Sequence, residues 1–144
     1  YARGCTALLD AVGKTINSIG SRLNSTLEDE RPDKVIFVIT TDGFENASRE
    51  FNKKTVKEMI EHQQDKYSWT FMFLGANMDA VGEAASLGIN IDFAKTYTAN
   101  SIGTQSVYTS MTKAMSCARS TDFDIKACNS TSYKAVMDAL DEVE

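Results

Sequence analysis

Oxygen-bearing side chains follow an apolar run in the first half of the chain, in the segment Thr40-Thr41-Asp42-Gly43. A carboxylate that comes directly after a buried strand and is followed by glycine suits a hard divalent cation or a phosphate-bearing ligand. The alternative is structural, because an aspartate in this position also caps a turn or a helix. The residue pattern leaves both interpretations of Asp42 open.

Two further segments carry side chains that suit either a ligand or a helix cap. Asn77 and Asp79 follow a second apolar run, which ends at Gly75, and we expect one of them to cap the short helix that comes next. Thr6 stands at the start of an amphipathic segment, where its hydroxyl is a plausible N-cap and equally a plausible metal ligand. These residues therefore define candidate positions rather than a site.

Catalytic motifs are missing from the sequence. His62 is the only histidine, and helical spacing predicts that it faces solvent, so no Ser-His-Asp or Cys-His triad is predicted. The chain has no glycine-rich phosphate loop and no Cys-x-x-Cys pair, so nucleotide and zinc sites have no support. We therefore predict no catalytic residue, no cofactor-binding residue and no enzymatic activity.

The elements that would position these residues alternate between helix and strand. Five or six consecutive apolar or β-branched residues predict strands buried on both faces, and apolar residues three and four apart predict helices. The predicted strands cover 34–40, 69–74 and 91–97, and the predicted helices cover 6–23, 55–64, 78–87 (ended by Gly88) and 101–119. Strands separated by helices predict a doubly wound, mainly parallel α/β sheet flanked by helices, within a single domain over 1–144.

The inward faces of two helices are predicted from spacing alone. In the helix over 101–119, we expect the inward residues to be Ile102, Val107, Tyr108, Met111 and Met115. A last helix within 129–144 would carry an apolar stripe of Tyr133, Val136, Met137, Leu140 and Val143. Its acidic residues Asp138, Asp141, Glu142 and Glu144 would then face water.

The sequence predicts few strands for its number of helices. There are three predicted strands and about five predicted helices, and the first element is a helix. We expect the chain to start inside a larger α/β domain, so that the fold is N-terminally incomplete. One edge of the strand at 35–40 would then be free, or would pair with a missing N-terminal segment or a second copy. The first helix would likewise expose Leu8, Leu9, Val12 or Ile16.

Three segments together resemble the von Willebrand factor type A domain, chiefly its bacterial and phage-type members. They are Gly-Cys-Thr-Ala-Leu-Leu-Asp-Ala-Val at 4–12, Thr-Thr-Asp-Gly at 40–43, and the turn Leu-Gly-Ala-Asn at 74–77. The resemblance implies a Rossmann-like fold with a metal-ion-dependent adhesion site, in which Thr6 and Asp42 are ligands of Mg²⁺ or Mn²⁺. Thr41, Gly43, Asn77 and Asp79 would lie on the rim of that site.

The family's Asp-x-Ser-x-Ser loop and the strand before it do not occur in the chain. Thr6 and Asp42 alone do not make the octahedral set of oxygens that Mg²⁺ needs, so we expect weak metal binding or none in isolation. The resemblance implies a binding module, with the metal completed by a carboxylate of a partner protein. The alternatives are a metal-dependent enzyme that uses Asp42 and Asp79 on a phosphate-bearing substrate, and a metal-free structural module.

Composition limits the classes of partner and the cellular compartment that we expect for the chain. The chain has 144 residues, a net charge of −5 and 24% charged residues, which argue for a globular domain and against a nucleic-acid binder. No apolar run reaches the roughly 20 residues that span a bilayer, so no membrane segment is predicted. The three cysteines are too few, and odd in number, for a disulfide scaffold, which favours a reducing, cytoplasmic location.

Overall fold

The computed structural model describes residues 7–44 and 47–119, apart from the side chain of Cys117. In this part of the chain the helices are α1 (Leu8–Ser25), α2 (Lys53–Tyr67), α3 (Ala80–Ser86) and α4 (Ser101–Arg119). The strands are β1 (Ile36–Thr41), β2 (Thr70–Ala76) and β3 (Ala94–Tyr97). Thr6 and the predicted helix within 129–144 lie outside the described residues.

The strands form one parallel sheet in the order β1-β2-β3. Phe37 is paired with Phe71 across the first pair of strands, and Phe73 is paired with Ala94 across the second. All residues of β2 are buried, whereas the first three residues of β1 are half-buried. The structure therefore confirms the predicted α/β class, with a three-stranded parallel sheet flanked by helices.

Helices cover both faces of this sheet. Gly75 faces the first residues of α3, since a Cβ built on it would lie 2.9 Å from Ala80 Cβ. Met72 and Leu74 face the opposite way and, with Ser110 of α4, line a small cavity. Because side chains alternate along a strand, α3 and α4 lie on opposite faces of the sheet. This two-sided cover explains why the apolar runs of the strands are continuous rather than alternating.

The first helix is better covered than the sequence analysis predicted. Leu8, Leu9, Val12 and Ile16 are all buried, so the expectation that one of them would be exposed is wrong. α1 packs against α2, and the ring of Phe51 lies over Gly13, where a Cβ would sit only 2.5 Å from the ring. The helix therefore completes its packing with residues from the loop before α2 and from α2 itself.

The inward face of α4 also differs from the prediction. Val107 is buried as expected, but Ile102 is 76% exposed and Tyr108 is 49% exposed. The buried face continues instead through the small residues Ser110, Ala114 and Ala118. Small side chains let the helix lie close to the sheet at these positions. Met111, predicted to face inward, is half-buried and lines the cavity beside Met72 and Leu74, and Met115 is half-buried as well.

The connection between α3 and β3 follows the predicted chemistry. Gly88 has a φ of +74°, and its N–H and that of Ile89 donate to the carbonyl oxygens of Ala85 and Ala84. This is the Schellman pattern of helix termination, which favours glycine. The next residues Ile91–Phe93 form a 3-10 turn, so the strand predicted over 91–97 begins only at Ala94.

Candidate functional site

Asp42 lies in an open cleft at the carboxyl edge of the sheet. The cleft is walled by the first residues of α1, by the end of β1 and by the last residue of β3. Its lining residues are Ala7, Leu8, Ala11, Thr40, Thr41, Asp42 and Tyr97. In open parallel sheets this edge is where ligands bind, so the cleft is a candidate binding site on topology as well as on residue type.

Tyr97 is close enough to Asp42 for the two to interact electrostatically. Thr41 is paired with Gly75 of β2, so the next residue, Asp42, lies level with Ala76. Ala76 is in turn paired with Tyr97 of β3, and its side chain is only a methyl group. The pKa of Tyr97 is raised chiefly by burial of its hydroxyl, with smaller contributions from Tyr108 and from the negative charge of Asp42. The cleft therefore pairs an exposed carboxylate with a partly buried phenol.

The turn that carries Asp42 is held by its neighbours. The hydroxyl of Thr41 donates to the carbonyl oxygen of Gly43 at 2.9 Å and accepts from the Gly43 N–H at 3.3 Å. Thr41 is buried, whereas Asp42 is exposed. The turn is thus fixed without use of the Asp42 carboxylate, which faces solvent at the mouth of the cleft.

Asn77 connects two turns of the rim. Its φ of +53° places it in the left-handed region, which asparagine tolerates better than most residues. Its backbone N–H donates to the carbonyl oxygen of Tyr97 at 2.9 Å, and its side-chain oxygen accepts from the Ala99 N–H at 3.2 Å. Its side-chain oxygen therefore has a structural partner at this edge.

Asp79 is the N-cap of α3, which confirms that one of the two predicted residues caps this helix. Its carboxylate accepts from the Gly82 N–H at 2.9 Å. Thr96 closes the same turn from β3, because its hydroxyl donates to the Met78 carbonyl at 2.8 Å and accepts from the Ala80 N–H at 3.2 Å. Asn77 and Asp79 of the β2–α3 turn thus each accept a hydrogen bond from a backbone N–H group of the protein.

Asp10 has a role that the sequence analysis missed. Its carboxylate accepts from the backbone N–H groups of Arg49, Glu50 and Phe51, each at 2.9 Å, and its own N–H donates to Ser48 Oγ at 3.0 Å. These hydrogen bonds, led by the one from Arg49, lower the pKa of Asp10 against the opposing effect of desolvation. Asp10 therefore fastens the loop after β1 to the first turn of α1, beside the cleft.

No local sequence signal marks this contact. Asp10 lies within the 4–12 segment that carries the family resemblance, but its partners are 38 to 41 residues further along the chain. An acidic residue in the first turn of a helix is also common for electrostatic reasons alone. Its spacing to the loop residues therefore gave no reason to connect them.

The described residues hold no cluster of acidic, histidine or cysteine side chains of the kind that commonly binds a metal ion. Within 7–44 and 47–119, no group of three or more His, Cys, Asp or Glu side chains is placed to hold a metal ion. Asp42 offers one exposed carboxylate, while Thr6, the other predicted ligand, lies outside the described residues. Ala7, its neighbour in the chain, lines the same cleft as Asp42. The joint role of Thr6 and Asp42 stays a prediction.

In comparisons with known proteins, no family model, no curated protein and no solved structure matches this chain. Among the helices in the described part of the chain, none combines the length and the apolar character needed to cross a membrane.

Proposed function

We propose that this chain is a protein- or ligand-binding module similar to the von Willebrand factor type A domain, with part of a metal site at the carboxyl end of β1. The observation that carries the proposal is the exposed carboxylate of Asp42 in an open cleft beside the first turn of α1. In this proposal Asp42 and Thr6 are ligands of Mg²⁺ or Mn²⁺. Carboxylate and hydroxyl oxygens are the donors that these hard cations prefer.

The remaining oxygens would come from a strand added beside β1. β1 is an edge strand of the described sheet, and Asp42 follows its last residue. A parallel strand added beside β1 would end at the same edge as β1, so the loop after it would reach the Asp42 cleft. A carboxylate from a partner protein would then complete the coordination of the metal.

The enzyme alternative has less support, because it needs Asp79 as well as Asp42. Asp79 does not line the Asp42 cleft, and one oxygen of its carboxylate accepts from the Gly82 N–H at the start of α3. His62 is exposed on α2 and does not line the cleft. A metal-free structural module is the other alternative, and metal titration separates it from the proposal.

The test is a titration of the ¹⁵N-labelled chain with Mn²⁺, whose paramagnetism broadens the resonances of nearby nuclei. We expect millimolar Mn²⁺ to broaden the amides of Thr41, Asp42, Gly43 and Tyr97 before those of the rest of the sheet. Asp42→Asn should abolish this broadening. Asp65→Asn is the matched control, because it removes the same charge from an exposed position near the end of α2 and should leave the broadening intact.

Two results would contradict the proposal in different ways. Broadening that persists in Asp42→Asn, or that is spread evenly over the acidic surface, would reject the metal site and favour a metal-free module. Calorimetry that shows micromolar Mg²⁺ binding, lost in Asp42→Ala, would keep the metal site but show that this chain completes it without an added strand.

A further inference from the structure

The face of the sheet that α4 covers is only partly protected at β1. Met72 and Leu74 of β2, on this face, are 3% and 5% exposed beneath α4. Ile36, Val38 and Thr40 of β1 share this face, because they are paired with Thr70, Met72 and Leu74. Ile36 and Val38 are only half-buried, and Thr40 is exposed. α4 therefore covers the β2–β3 side of the face and leaves an apolar strip along β1.

The chain leaves α4 next to this strip. The ammonium group of Lys34, two residues before β1, donates to the carbonyl oxygen of Ala118 at 3.0 Å. The last turn of α4 is thus fixed at the amino end of β1. Residues 120–144 continue from there, so they start beside the strip.

The sequence of that continuation suits the strip in pattern and in length. The apolar stripe between Tyr133 and Val143 has helical spacing, with the acidic residues Asp138 and Glu142 on the other side. A helix over these residues would be about 16 Å long at 1.5 Å per residue. The six residues of β1 span about 20 Å at 3.3 Å per residue. The residues between Arg119 and Tyr133 are enough to turn the chain back along β1.

We propose that residues 129–144 dock as a helix on the β1 strip, beside α4. The stripe covers Ile36 and Val38, and Asp138 and Glu142 of the helix face water. A segment of the same chain is favoured over a second copy because its tether gives it an effective concentration in the millimolar range. The docking is independent of the proposed metal site, because it uses the face of β1 and not its carboxyl end.

The first test places charges on the stripe. Val136→Asp/Leu140→Asp puts two carboxylates into the docked face, whereas Thr131→Asp/Ala135→Asp puts two carboxylates, also four residues apart, on the other side of the same segment. We expect the stripe variant to lower Tm by about 5 °C and to shift the methyl resonances of Ile36 and Val38. The control variant should change neither. Equal behaviour of the two variants would overturn the proposal.

The second test asks whether the stripe and the strip touch. Val38→Ala and Leu140→Ala are made singly and together, and their stabilities are compared. Contact predicts that the combined loss is smaller than the sum of the single losses, since each substitution removes part of the same interaction. Additive losses would show that the segment does not dock on Val38.

The third test separates this segment from a second copy. In the docked state, the Ile36 and Val38 methyl resonances stay constant when the full-length protein is diluted. Resonances that move on dilution, together with a change in mass by light scattering, would show that a second copy covers the strip and that the intramolecular proposal is wrong.

Discussion

The turn after β2 and the loop after β1 leave the sheet at the same edge with similar residues, but they use their polar side chains differently. After β2, the side-chain oxygens of Asn77 and Asp79 accept hydrogen bonds from backbone N–H groups. After β1, the carboxylate of Asp42 is exposed in a cleft. Residue type and position at a strand end thus do not distinguish a structural carboxylate from an available one; the hydrogen-bond donors around it do.

The lengths of the two connections explain the difference. The connection from β2 to α3 has only three residues, Asn77, Met78 and Asp79. So tight a turn leaves backbone N–H groups without backbone partners, and side chains of the turn accept their hydrogen bonds instead. The connection from β1 to α2 covers residues 42–52, and its far end is anchored by Asp10 and by the helix cap Asn52. Asp42 is therefore not required to hold its own loop.

The largest expected effect tests the close packing of the turn after β2. In Gly75→Ala the new Cβ would lie 2.7 Å from Met78 Cγ and 2.9 Å from Ala80 Cβ. Overpacking of this kind costs about 1–3 kcal/mol, which urea denaturation would measure. Gly20→Ala is the control, because nothing lies within 4 Å of that Cβ and the helix should gain about 0.5–1 kcal/mol. Unchanged stability in Gly75→Ala would mean that this turn is as open as the loop after β1.

A pair of aspartate substitutions compares the two connections directly. Asp79→Ala removes the cap of α3 and should lower the free energy of unfolding by about 1 kcal/mol. Asp42→Ala removes an exposed carboxylate and should change it by less than about 0.5 kcal/mol. Both values come from denaturant melts in the absence of divalent ions. A larger loss in Asp42→Ala than in Asp79→Ala would reverse the assignment of structural and available carboxylates.

Acid should weaken the anchor of the loop after β1. The pKa of Asp10 is lower in the folded protein than its ordinary value of 3.8, so its stabilising contribution is full above that pH. The contribution is lost as the pH falls from about 3.8 through the folded pKa. Stability measured against pH should therefore fall more steeply in the wild type than in Asp10→Asn over this interval. Parallel curves would show that the three N–H groups do not favour the charged carboxylate.

The smallest effect concerns the electrostatics of the cleft. Asp42→Asn should lower the pKa of Tyr97 towards its ordinary value of 10.0, because one of the charges that raise it is removed. The pKa should stay above that value, since burial is the main cause of the increase. Tyrosine ring ¹³C shifts followed against pH would resolve Tyr97 from the other tyrosines. An unchanged pKa of Tyr97 would show that Asp42 and Tyr97 do not interact electrostatically across the cleft.

The sheet and its order of elements follow from local sequence, whereas much of the rim depends on distant contacts. The continuous apolar runs in β1 and β2 specify buried parallel strands, and Gly88 specifies the end of α3. The spacing of apolar residues did not predict that Ser110 and Ala114, rather than Ile102, face the sheet. How closely α4 packs on the sheet decides which residues are buried. The binding of Asp10 to Arg49, like that of Asn77 to Ala99, needs the folded chain to bring its partners together.

The order β1-β2-β3 also bears on how the chain folds. Ile36 is paired with Thr70 and Phe73 with Ala94, so each strand meets the one that comes next in the chain. Each pairing joins residues 34 or 21 positions apart, on either side of an intervening helix, so both are long-range contacts of the kind that slow folding. Both pairings share β2, so neither half of the sheet can form before this strand is in place. Both pairings therefore require the fully buried central strand. Substitutions in β2 should slow folding more than substitutions in β3.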